Sequence, residues 1–225
     1  MTSHVHEDNL EERLFPQLTE TPEEVEYELR AQEGSLWTGS RLLIGITAFA
    51  FASLAFCYFY LRSSNNEDLW RPHNVTAPTG LGAAVFALTV AGGALMLLGS
   101  RRLRQGFRVD WQVAGWTVVL IGLSVMSLQI WELTRLGFYP GSSGYASCFI
   151  AWAVMNIAVV LVSTYWIETL LTRSIRLHRA LAEEGARGAT LPAERLFRAN
   201  ADGCALFWMF VTLVALLFWL FFYVV

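Results

Sequence analysis

Lysine is absent from this sequence, and all 16 residues of the Lys+Arg count are arginines. That pattern fits a compositional bias as readily as any functional demand, and we read it as composition. Histidine is scarce in the places where it would matter. His4, His6, His73 and His178 all lie outside the long apolar runs. Haem and copper sites inside membranes depend on His, Met or Cys projecting inward from helices, so this placement argues against a resident haem or metal. The three cysteines, Cys57, Cys148 and Cys204, sit one to a run, with no CxxC pair and no neighbouring histidine. They are expected to be small buried apolar residues rather than ligands. No Walker loop, GxGxxG turn, HExxH helix or GxSxG elbow occurs, which argues against a self-contained hydrolytic or redox centre. Nothing in the chain suggests nucleic-acid binding. The first residues form neither a basic n-region nor an apolar h-region, so no cleaved signal peptide is expected.

What the sequence does have is apolar length. Hydrophobic residues make up 55% of its 225 residues and aromatic residues 14%, with a mean hydropathy of +0.43. Five runs, at 42–61, 79–99, 111–133, 145–167 and 204–225, each reach the roughly 20 residues that a helix needs to cross about 30 Å of hydrocarbon. They are apolar on nearly every face, whereas a helix on a soluble core would carry a polar stripe. The expected fold is an all-α integral membrane protein, a five-transmembrane-helix bundle over 41–225.

Residues 1–40 read as an acidic cytoplasmic tail. Ten acids against Arg13 and Arg30 give it a formal charge of −8 in a chain whose total is −3. Thr21-Pro22-Glu23-Glu24 has the form of a helix start, which predicts a short surface helix to about residue 31. Arg101, Arg102, Arg104 and Arg108 cluster between spans two and three. Six more arginines, from Arg173 to Arg198, occupy the connection at 172–203. Arginine-rich short connections stay inside, so the N-terminus is expected in the cytoplasm and the C-terminus outside. Within that connection, 173–184 reads as an extension of span four, 185–188 as a break, and Pro192 as the start of a further short helix.

Ionisable residues at membrane depth are functional candidates because hydrocarbon penalises charge. Glu168 and Glu132 qualify. Glu168 is expected to pair with Arg173 at the interface. Glu132 shares a helical face with Gln129 and Arg135; a local ion pair at the headgroup level is the plain arrangement of that face, and Gln129 and Glu132 are expected to face protein rather than lipid. Asn156 falls near the middle of span four, and a buried amide there is expected to bond a neighbouring helix.

Read in order, these features resemble subunit III of the haem-copper cytochrome c oxidases, in its short five-helix bacterial form. The resemblance rests first on span three, where Gly122, Gln129 and Glu132 follow the family's G-x-x-F-x-x-x-Q-x-x-E run. Met126 lies close to the aromatic position without matching it. Tyr58-Phe59-Tyr60-Leu61-Arg62, Trp70-Arg71-Pro72, Tyr145-Ala146-Ser147 and Phe207-Trp208-Met209-Phe210-Val211 add to it. The departures are as informative. The family's span-one glutamate falls near Thr47, its span-four histidines at Asn156 and Val159, and its final His and Asp at Met209 and Thr212.

The resemblance implies an accessory, non-redox subunit of aerobic respiration in the bacterial inner membrane. It would bind the catalytic subunit I and other oxidase subunits, sustain proton uptake, and hold structural phospholipid in a cleft. Haem and copper would belong to the partner. Gln129, Glu132, Asn156 and Trp208 are then the motif and helix-packing candidates. Three other readings compete: a subunit III-like partner of a nitric oxide reductase, a membrane scaffold or assembly protein, and a small transporter. For the transporter, Gly92-Gly93 in span two is the only sign of a broken helix.

Overall fold

The structure is a computed structural model that describes residues 21–64, 70–72, 75–184 and 191–224. All regular structure in these residues is helical. Five helices follow in order: α1 Pro22–Ser63, α2 Thr79–Arg104, α3 Arg108–Thr134, α4 Gly144–Glu184 and α5 Leu191–Trp219, the last continued by a π-helical turn, Leu220–Val224. All five are long and apolar enough to cross a membrane.

The start of α1 is set by a capping box. The Glu24 N–H donates to Thr21 Oγ1 at 3.4 Å, and the Glu24 carboxylate accepts the Thr21 N–H at 2.8 Å, satisfying two of the donors that a helix N-terminus leaves open. From there α1 runs 42 residues without a break, about 63 Å at 1.5 Å per residue. The short surface helix expected to end near residue 31 is therefore the first part of span one. Gly34 and Gly39 lie inside it, each a cost of about 1 kcal/mol against alanine. Contacts beyond the helix hold this stretch: Arg195 of α5 reaches Glu26 at 2.9 Å and Glu33 at 3.0 Å. Likewise, the separate short helix expected at Pro192 is the opening turn of α5 itself. The break read at 185–188 lies outside the described residues, as do His4, His6 and His73.

The bundle has two distinct ends. One gathers the start of α1, the α2–α3 turn, the end of α4 and the start of α5, together with most of the arginines. There Asp202 accepts hydrogen bonds from Ser100 and Arg104, and Trp166 Nε1 donates to Asn200 at 2.9 Å. The turn between α2 and α3 is tight because Gly106 takes φ +92°, a backbone region that side chains disfavour. The other end gathers the ends of α1, α3 and α5.

Lipid tails are as apolar as leucine, so helix association in a bilayer depends on close packing, which small residues permit. A Cβ on Gly92 would lie 3.1 Å from the Trp208 ring, and one on Gly99 would lie 3.0 Å from Ala114. Gly93 faces Thr212, and Gly122 faces Thr164. Helix α2 is continuous through Gly92-Gly93, so this pair serves contact with α3 and α5 rather than a break. The core has two parts. An aromatic layer near the second end is built around Tyr58, Tyr145, Phe149, Trp152 and Phe222. A second cluster nearer the arginines surrounds Trp111, Ile167, Leu171 and Trp208. Cys148 and Cys204 are buried, but Cys57 is exposed on the outer face of α1. The expectation of three buried cysteines fails there because α1 lies at the edge of the bundle.

Candidate functional site

Gln129 and Glu132 stand three residues apart on α3, and both are fully buried, as is Asn156 on α4. Asn156 Nδ2 donates to Gln129 Oε1 at 2.8 Å. Glu132 receives its hydrogen bond from the Tyr223 hydroxyl. A chain of polar side chains thus joins α3 to α4 on one side and to the end of α5 on the other. Helix α2 makes room for it, since a Cβ on Gly82 would run into the Tyr223 ring.

Tyr223 belongs to the π-helical turn. Such a turn carries one residue more than an α-turn and re-aims the side chains beyond it. The carbonyls near this helix end are taken up by phenols from other helices: Tyr58 donates to the Phe221 oxygen at 2.7 Å, and Tyr145 to the Phe222 oxygen at 2.9 Å. Tyr58 also accepts from Arg62 at 2.9 Å. Rings surround the polar chain. Trp152 stacks against Phe218 with centroids 6.1 Å apart, and Tyr145 meets Phe222 edge-on at 5.7 Å.

Among the described residues, three atoms of this group have no hydrogen-bond partner: Gln129 Nε2, Glu132 Oε2 and Asn156 Oδ1. One donor and two acceptors therefore remain open. The group can take up a small polar species or a polar group from another chain, and as it stands it is a polar tie between three helices. No His, Cys, Asp or Glu cluster able to hold a metal occurs among the described residues.

The structure thus brings three of the four candidates together. Trp208 is buried but lies in the second cluster, against Gly92, away from the polar chain. The local pair expected between Glu132 and Arg135 does not form. Glu132 turns inward while Arg135 is exposed and sits over the Trp131 ring at 5.8 Å, because the end of α3 lets the longer side chain reach out. Glu168 is exposed, and no ion pair joins it to Arg173 among the described residues. At the other departures from the oxidase pattern, Thr47 and Thr212 bond carbonyls of their own helices at 2.7 and 2.9 Å. Val159 is buried, and Met209 faces outward.

Tyr223, Tyr58 and Tyr145 complete the site, and sequence reasoning gave none of them a polar role. A tyrosine near the end of the last apolar run was the available signal for Tyr223. Compared with protein-family models and with curated proteins, the sequence matches none. The fold defines a helical bundle with five helices able to span a membrane, and the polar chain at one end is its most distinctive feature.

Proposed function

We propose that this chain is an accessory, non-redox subunit III of a haem-copper cytochrome c oxidase. It would pack against the catalytic subunit in the bacterial inner membrane, support proton uptake during oxygen reduction and hold structural phospholipid. The observation that carries the reading is the use made of Gln129 and Glu132. The run on which the resemblance rests is also the run that ties α3 to α4 and α5. The motif is thus a packing device in this bundle, consistent with a subunit that keeps the family's architecture while having Asn156, Val159, Met209 and Thr212 where the family has titratable residues.

Deletion tests the reading. A strain lacking this chain should assemble an oxidase with an unchanged haem spectrum whose activity decays faster during turnover. An oxidase whose activity and lifetime do not respond to the deletion would contradict it.

A further inference from the structure

Gln129, Glu132 and Asn156 each spend one heteroatom on a bond between helices and keep a second one open among the described residues. The open atoms are near neighbours of the bonded ones. Gln129 Nε2 lies beside the Oε1 that accepts from Asn156 at 2.8 Å, and Asn156 Oδ1 beside the Nδ2 that donates. Glu132 Oε2 lies beside the oxygen held by the Tyr223 hydroxyl. Glu132 stands three residues after Gln129, so both project from one face of α3. Relative exposure is 0% for Gln129 and Glu132 and 1% for Asn156, so bulk water does not reach these atoms. Hydrocarbon cannot satisfy them either, and a polar group left unbonded at membrane depth is costly.

The open atoms select the species that completes them. A metal ion or an ammonium ion accepts no hydrogen bond and would leave the Gln129 N–H unmet. A halide or a carboxylate donates none and would leave both acceptors unmet. Water does both, and buried waters in proteins typically make about three hydrogen bonds. Turning both amides over exchanges their open atoms but again leaves one donor and two acceptors. Placing a proton on Glu132 Oε2 turns one acceptor into a donor, and a water still answers all three.

We infer that one water molecule is bound inside the bundle, accepting from Gln129 Nε2 and donating to Glu132 Oε2 and Asn156 Oδ1. It joins two separate interhelical bonds, α3 to α4 and α3 to α5, into one connected network. The inference concerns this chain alone and stands whatever its partner is.

The test is a crystallographic or cryo-EM map of the purified full-length chain in lipid, fine enough to show ordered water. It should show one peak within about 2.7–3.2 Å of all three atoms. Direct pairing of the three groups with each other, no density between them, or a peak at the roughly 2.0–2.4 Å of a metal ion would overturn the inference. A second readout follows the protein in phosphatidylcholine nanodiscs with isotopically labelled glutamine. Magnetisation passed from water to the Gln129 side-chain amide should give cross-peaks of opposite sign in laboratory-frame and rotating-frame experiments, the signature of a long-lived internal water. Equal signs would mean exchange with bulk solvent, and missing cross-peaks would mean no water, and either result would overturn the inference. Asn156→Leu removes one of the three partners and should abolish the cross-peaks while the helical circular dichroism is retained, and their persistence would count against the site. Gly45→Ala, on the open side of α1, should leave them unchanged. Should Asn156→Leu fail to fold, the map of the parent protein still decides. Neither sample contains an oxidase, so failure here leaves the respiratory reading untouched.

Discussion

The Tyr223 hydroxyl donates its hydrogen bond to the Glu132 carboxylate, and this one contact fastens the last turn of the chain to the end of α3. Glu132 is fully buried and its other oxygen has no partner, so the phenol is the only group among the described residues that satisfies its side chain. Tyr223→Phe should therefore destabilise the protein by about 1–3 kcal/mol, the cost of leaving a buried polar group unpaired. Glu132→Gln keeps an acceptor and should cost less. Denaturation of each variant in mixed detergent checks this, and a Tyr223→Phe protein as stable as the parent would refute it.

On the other side of the cluster, Asn156→Leu should cost about 1 kcal/mol, the usual worth of an interhelical hydrogen bond in a membrane protein. A double-mutant cycle with Gln129→Leu should return a coupling of similar size, since the two amides bond each other. Additive effects would mean that the bond does not contribute.

The number of spans and their approximate positions were legible in the sequence because lipid demands length and apolarity, both of which are visible without a structure. Their outer limits were less so. No proline interrupts 32–41, yet the acidic character of residues 1–40 as a whole suggested a tail outside the bundle, and contact with Arg195 on α5 shows why the helix continues. Gln129, Glu132 and Asn156 were found because polar residues stand out in apolar runs. The partner of Glu132 was not, since spacing along α3 favoured Arg135 and nothing local points to Tyr223. Its position depends on the π-helical turn and on the space left by Gly82.

Close packing at glycine gives a third prediction. Gly122→Ala places a Cβ against Thr164 and should destabilise by about 1–3 kcal/mol through overpacking. Gly45 on α1 has open space around it, and Gly45→Ala should stabilise by up to roughly 1 kcal/mol through helix propensity. Opposite signs in the same unfolding assay are the expected result.

Removing Arg195 should loosen α1 at its N-terminal end alone. Arg195→Gln breaks the contacts to Glu26 and Glu33, which as solvent-screened surface pairs contribute little to global stability. Global stability should change little, while amide exchange in 22–35 should quicken and approach the rate seen in the parent at high salt. Unchanged exchange would show that these pairs do not hold the extension.

The arginine clusters predict an orientation. Reporters placed after Gly106 and after Gly141 should lie on opposite sides of the membrane, with Gly106 in the cytoplasm. Reporters on one side would contradict the five-span arrangement.

The most direct test of the central claim is purification of the tagged chain from its native membranes in mild detergent, followed by an absorption spectrum and metal analysis. The account predicts stoichiometric haem and copper, brought by a copurifying catalytic subunit. Recovery of the chain without haem, or with haem and non-haem iron but no copper, would contradict it and favour the scaffold or the nitric oxide reductase partner instead.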